Sequence, residues 1–252
     1  MIVFPNAKIN IGLNVVEKRA DGFHNIESIF YPVKQLTDVL EIVKQESDEV
    51  AFSSSGIDIP QKEGEQNLCE KAYHLLKNDF NISGVKIHLH KVIPIGAGLG
   101  GGSADAAFTL KLLNDLFELN LNDEALISYA QKLGSDCAFF IKNKPVYAFN
   151  KGDEFIDIDI DLSAYDIKIE YPNIHISTAE AYSGITVQSS NQNLKELITE
   201  PIENWKNHFK NDFEKSVFPN YPQIEKLKAK MYVDGAKFSS MTGSGSAVFG
   251  IF

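Results

Sequence analysis

Residues 94–107 read PIGAGLGGGSADAA, and five of the seven residues from Gly96 to Gly102 are glycine. Before them, Val85, Ile87 and Leu89 alternate with Lys86, His88 and His90, the period of a strand. After them, Ala106, Leu110, Leu113 and Phe117 recur at spacings of four, three and four, which predicts the apolar face of a helix. A strand, a glycine loop and a helix in that order make an anion site. First-turn amides lack partners inside the helix, the helix dipole is positive at that end, and glycine lets the backbone come close to an oxygen. Walker A demands a lysine after its last glycine, but Gly102 is followed by Ser103 and Ala104. A dinucleotide fingerprint can be laid over Gly96, Gly98 and Gly101. It calls for an acidic residue about 20 positions on at the end of a second strand, whereas Asp115, Glu118 and Asp123 fall in or between helices. A tight turn with close strand-helix packing explains one or two glycines, not five.

The rest of the chain suits a globular protein. Its 252 residues, 44% hydrophobic and 23% charged, can bury a substantial core in one large domain or two intimate ones. A formal charge of -10 disfavours nucleic acid as a partner, because that binding relies on a basic patch. Cys69 and Cys137 form no CxxC or Cys/His cluster, so a reducing cytoplasm is the simplest setting. No apolar run approaches the roughly 20 residues that span a bilayer, so no membrane association is expected. Alternation predicts strands over residues 2–16, 39–43, 50–53, 146–150 and 167–171, the first half-buried, with Ile9, Ile11 and Leu13 opposite Lys8, Asn10 and Gly12. Helices are predicted over 67–80, 123–133 with Asn122 as N-cap, 193–198 and 222–232, and a strand, turn and strand closes the chain. A soft boundary is placed near residue 160. His88 and His90 share a strand face but have no third ligand in reach, so no metal site is assigned.

Three segments together carry a family resemblance. Pro94, Gly98, Leu99, Ser103 and Ala106 to Ala107 are similar to the phosphate loop of the GHMP kinases. PNAKINIGLNV followed by KRADGFHNIESIF, near the start, resembles the first motif of that family. MTGSGSAVF, residues 241–249, resembles its third. The resemblance implies an α+β fold, the two-domain GHMP kinase fold, with a ribosomal-S5-like N-terminal domain over 1–160 and a ferredoxin-like C-terminal domain over 161–252. RADGFH is similar to the branch that uses ATP and Mg2+ to phosphorylate the 2-hydroxyl of 4-diphosphocytidyl-2-C-methyl-D-erythritol. The partner implied is therefore a small molecule with a cytidine diphosphate moiety, and a monomer or weak homodimer is expected. Kinases of homoserine or a sugar, and a nucleotide sensor of the same fold without catalysis, remain as rivals. Homoserine and sugars carry no nucleobase for RADGFH to stack.

By that resemblance, Lys8 and Asp136 are the catalytic pair. A carboxylate at Asp136, in LGSDCAFF, accepts or orients the proton of the attacking hydroxyl, and an ammonium at Lys8 offsets charge developing on the oxygen or phosphoryl group. Pro94, Ile95, Gly96, Ala97, Gly98, Leu99, Gly100, Gly101, Gly102, Ser103 and Ala104 are expected to hold the ATP phosphates. Asn67 is expected near the ATP nucleoside, although an Asn before a helical run reads equally well as an N-cap. For the other substrate, Asn10 is assigned to the diol or phosphate. Phe23 stacks on the cytosine, His24 hydrogen-bonds its edge, Tyr182 closes its other side and Thr178 lies nearby. Where the family commonly has valine and proline after the aspartate, this chain has Cys137 and Ala138. Gly243 and Gly245 are expected to form a tight turn that supports the loop, with a plain hairpin turn as the alternative.

Overall fold

β-branched and aromatic residues fill the first third of the chain, and it folds accordingly into strands. The computed structural model describes residues 1–60, 64–185, 187 and 193–252. The chain opens on β1 (Ile2–Val3), β2 (Asn6–Lys18) and β3 (His24–Thr37). There follow β4 (Val39–Lys44), β5 (Val50–Gly56), α1 (Leu68–Asp79), β6 (Val85–Lys91), α2 (Gly101–Leu116), α3 (Asp123–Gln131) and α4 (Phe139–Lys142). Next come β7 (Val146–Phe149), β8 (Glu154–Asp157), β9 (Ile167–Glu170), α5 (Thr178–Ser183), α6 (Leu194–Leu197), α7 (Ile202–His208) and α8 (Glu214–Val217). The last elements are α9 (Pro222–Val233), β10 (Phe238–Met241) and β11 (Val248–Ile251). Two compact units emerge. The first comprises Met1–Ala7, Lys34–Ile95 and Gly100–Asn143, and the second Lys8–Val33, Gly96–Leu99 and Lys144–Phe252.

In the first unit the sheet order is β1-β4-β6-β5. β4 runs antiparallel to β6, with Leu40 opposite Leu89 and Ile42 opposite Ile87. β5 is parallel to β6, a pairing that needs a crossover, and α1 supplies it. That helix starts where Asn67 places a capping box: its Oδ1 accepts from Cys69 N at 2.9 Å, and Glu70 accepts from Asn67 N at 2.8 Å. It buries Ala72, Tyr73 and Leu76, and α2 buries Ala104, Ala107 and Leu110. Asn122 caps α3 as expected, accepting from Ala125 N at 3.0 Å. On β6 the alternation holds, but it does not stop at Leu89: Lys91 falls in the same register as Val85, Ile87 and Leu89 and is buried with them.

The second unit holds the sheet β2-β3-β7-β8 and the smaller sheet β10-β11-β9. Around the latter, Leu13, Val15, Ile176, Phe213, Val217, Ile224, Met231, Met241 and Val248 form a core. β2 corrects one expectation. Its alternation predicts a half-buried strand, yet both faces are covered: Ile9 and Ile11 are fully buried, and Lys8 and Asn10 are 3% and 1% exposed. The second face escapes the usual penalty on buried polar groups because each finds a polar partner. β3 was not anticipated; its Pro32 interrupts the pattern of a strand. Among the described residues no helix is long and apolar enough to cross a membrane.

Candidate active site

The glycine loop leaves β6 and ends as the N-terminus of α2. Gly100 is the N-cap, with a φ of 72° and no side-chain cap, so no side chain of its own occupies the first-turn amides of Gly101, Gly102 and Ser103. Gly98 shows why the loop is so bare. Its φ is +77°, and a Cβ there would run into the carbonyl oxygen of Thr242. That contact joins two of the sequence motifs directly, since Gly98 and Gly243 meet backbone to backbone. Ala247 N donates to Ala97 O at 3.2 Å, and the Thr242 hydroxyl to Gly98 O at 3.1 Å. The glycines of residues 243–245 therefore form a turn between β10 and β11 that props the loop. Gly98→Ala is expected to lose about 1 to 3 kcal/mol of stability together with nucleotide binding. Among the described residues, only Leu68 Cδ1 stands within reach of a Cβ at Gly102, at 3.7 Å. Gly102→Ala is expected to melt no lower than the parent, alanine being the better helix former, yet to bind nucleotide less well if the expected phosphate site lies over this turn, because the methyl group would stand in it. Thermal melts and a nucleotide titration on both variants check this pair.

β2 enters the same knot. The Lys8 ammonium donates to Asn10 Oδ1 at 2.6 Å and lies 4.8 Å from the centre of the Phe30 ring. Asn10 Oδ1 also accepts from Gly243 N at 3.0 Å, Asn10 Nδ2 donates to Ser28 Oγ at 2.9 Å, and Asn10 N donates to Thr242 Oγ1 at 3.1 Å. Leu99 O accepts from Lys8 N at 2.9 Å. Asn10 thus aims the ammonium and anchors the third glycine motif at once. Asn211, which sequence reasoning missed, completes the anchor by donating from Nδ2 to Met241 O and Gly243 O, both at 2.8 Å. Nothing local in the sequence marks it.

Asp136 belongs to the first unit, whereas Lys8 belongs to the second. It sits half-buried in a turn between α3 and α4, where Cys137 N donates to Gly134 O at 3.1 Å. Cys137 behind it is buried, and burial pushes its thiol up to about 12, against a hydrogen bond from Ser103 that works to lower it. Through that contact the LGSD turn and the loop serine lie side by side in one unit.

RADGF forms the hairpin turn between β2 and β3. Arg19 N donates to Phe23 O at 2.8 Å, and Asp21 accepts from Phe23 N at 3.1 Å while pairing with Arg19 at 3.0 Å. The Phe23 amide and, after it, Arg19 hold the Asp21 carboxyl below its ordinary value. At the tip Phe23 is 62% exposed, with the Lys151 ammonium 5.7 Å from the centre of its ring. His24 stacks on Tyr182 with ring centres 4.5 Å apart and planes 17° from parallel, and Tyr182 meets Phe213 edge-on at 4.8 Å. Two rings at that separation leave no room for a base between them, so His24 and Tyr182 form one wall. Thr178 begins α5 one turn ahead of Tyr182 and is exposed. Asn67 has its Oδ1 engaged in capping α1.

The chain resembles known proteins along its full length. Two family models match, described as GHMP kinases N terminal domain over residues 67–144 and GHMP kinases C terminal over 186–252. A relative from Bacteroides fragilis, named 4-diphosphocytidyl-2-C-methyl-D-erythritol kinase, is 52% identical over 254 residues, covering 100% of this chain and 92% of its own. The chain belongs to the GHMP kinase family. A relative of the same name from Cytophaga hutchinsonii is 51% identical, again over 100% of this chain and 92% of the other. Among solved structures, 4-(cytidine 5'-diphospho)-2C-methyl-D-erythritol kinase superposes with a TM-score of 0.81 at 28% identity, covering 100% of this chain and 90% of that one. Homoserine kinase from Cytophaga hutchinsonii, at a TM-score of 0.77 and 17% identity over 100% and 84%, shares the fold. The α+β, two-domain GHMP kinase fold implied by the three motifs is the fold observed.

One more group surrounds the loop of this GHMP kinase, and sequence reasoning missed it. Lys91 pairs with Asp38 and, at 2.6 Å, with Asp105, all three at most 3% exposed. The available signal was a lysine in the apolar register of β6.

Proposed function

We propose that this GHMP kinase transfers the γ-phosphoryl group of ATP to the 2-hydroxyl of 4-diphosphocytidyl-2-C-methyl-D-erythritol, a step of the non-mevalonate route to isoprenoids, in the cytoplasm. The observation that carries the reading is the 52% identity, over the whole chain, to a relative bearing that kinase's name. The exposed Phe23 beside the His24–Tyr182 stack supports it, since a nucleobase is a flat partner worth about 1 to 3 kcal/mol per stacked ring. We also propose the division near residue 160, which lies between the spans of the two family models.

The chemistry asks for position and charge more than for covalent work. The loop 94–104 holds the phosphates: the amides opening α2 and the open side of Gly102 suit an anion in close approach. Asn67 stands at the start of α1 for the nucleoside. Magnesium ion would supply charge neutralisation on the transferred group when bound with the nucleotide, and no side chain is assigned to it. Asp136 takes or orients the proton of the 2-hydroxyl, whose oxygen bonds to the γ-phosphorus as the bond to ADP breaks. Lys8, aimed by Asn10, stabilises the charge that develops. Phe23, His24, Tyr182 and Thr178 select the cytidine end.

ADP release with Mg-ATP tests the proposal, run on the cytidine compound beside homoserine, mevalonate and galactose. Turnover with the cytidine compound alone is expected. Turnover with one of the other alcohols would keep the family and discard the specificity, and silence with all four would discard the kinase.

A further inference from the structure

The loop is tied at both ends to one buried cation. Asp38 Oδ1 accepts from the first two amides after β6, Val92 N at 2.6 Å and Ile93 N at 2.8 Å, and its other oxygen takes Lys91 Nζ. Asp105, in the second turn of α2, takes the same ammonium at 2.6 Å. Gly101 lies directly over the pair, since a Cβ there would stand 2.9 Å from Lys91 Nζ. The three side chains thus set where β6 ends, where α2 begins and how far apart the loop's two ends stand.

Their charges do not balance. Two carboxylates share one ammonium in a site at most 3% exposed, and ionising both leaves a net negative charge under the turn expected to receive phosphates. Asp105 Oδ1, the oxygen that does not meet Lys91, is buried with no hydrogen-bond partner among the described residues. Asp38 and Asp105 both pair with the Lys91 ammonium, so two like charges stand close together and ionisation of one disfavours ionisation of the other. The groups facing Asp105 are Lys91 from β6, Asp38 from the β3–β4 junction and Cys69 from α1. Burial keeps the Cys69 thiol neutral by pushing it far up. For Asp105 itself, burial raises the carboxyl to about 7, Lys91 pulls against this and Asp38 adds to it.

We propose that Asp38, Lys91 and Asp105 position the phosphate loop, and that nucleotide binding on the loop is coupled to uptake of a proton by Asp105. The inference rests on the proposed nucleotide site. Phosphate charge arriving above a buried carboxylate favours its protonated form, and by reciprocity the protonated form favours the nucleotide. Asp105 is a positioning residue and touches no substrate.

Titration calorimetry of Mg-ADP at about pH 8, in two buffers of unlike ionisation enthalpy, reads the proton directly. Wild type is expected to take up on the order of half a proton per nucleotide more than Asp105→Asn, which has no carboxyl to protonate. Its affinity is expected to fall on the order of fivefold between about pH 6.5 and 8.5, relative to a flatter variant. Equal uptake and parallel affinity profiles in the two proteins overturn the coupling. Absence of nucleotide binding in wild type defeats the nucleotide site itself, and the inference with it. Should Asp105→Asn fail to fold, difference infrared spectroscopy on wild type decides: ADP binding at about pH 8 is expected to add a protonated carboxyl band, and no such band overturns the coupling.

Discussion

Asp136→Asn is expected to lower turnover on the orthodox substrate by on the order of a hundred- to ten-thousand-fold, with nucleotide and cytidine-ligand binding retained. The asparagine matches the shape of the carboxylate and sits in a half-buried turn, so the fold should hold. The buried Cys137 and its contact with Ser103 keep the turn in place. Single-turnover rates with bound substrates measured separately give the answer. On the proposed mechanism, loss of the carboxylate removes the proton acceptor and the charge that orients the hydroxyl, and leaves the proposed phosphate and base sites unchanged. A drop of less than about tenfold, near 1.4 kcal/mol, would reduce Asp136 to an orienting group. An unchanged rate would remove it from the mechanism.

Lys91→Met is expected to destabilise the protein by about 3 to 5 kcal/mol. Methionine fills much of the lysine's volume, so the loss comes from charge and not from a cavity. Asp38 and Asp105, at most 2% exposed, would be left without their cation, and a buried carboxylate without a partner is penalised heavily. In wild type, burial alone would lower the Lys91 ammonium, but Asp105 and Asp38 overcome that and hold it above its ordinary value. The pH dependence has a definite sign. The Asp105 carboxyl rises from 3.8 unfolded to about 7 in the native protein. The native state therefore binds more protons across that window, and stability falls as pH rises through it. Without Lys91 the effect deepens, so the variant's deficit in denaturant unfolding is expected to be larger at about pH 8 than at about pH 5. A deficit that is small and flat with pH would show that the cluster carries no net charge strain.

Much of this protein was legible one segment at a time. The alternation of Val85, Ile87 and Leu89, the helical spacing from Ala106 to Leu113 and the cap at Asn122 depend on near neighbours along the chain, and local sterics and hydrogen bonding are enough to specify them. The glycines between 96 and 102 announced an anion site for the same reason, because backbone freedom is a property of the residue itself. Motif order then placed Lys8, Asn10, Phe23, His24, Asp136 and Tyr182 as candidates without saying what they touch.

Contacts between distant residues decided the rest. Lys8 and Asn10 read as one polar face of a half-exposed strand, but Phe30 and Ser28 of β3 and the return of the chain at Thr242 and Gly243 close over that face. Asp38 and Lys91 are 53 positions apart, and Asn211 reaches Gly243 across 32. No pattern within one element records such pairs. The stacking of His24 on Tyr182 likewise joins a hairpin end to a helix far along the chain. Periodicity reports which side of an element is apolar. Whether a lysine on that side meets water or two carboxylates depends on what the folded chain brings opposite it, and that is settled by tertiary packing alone.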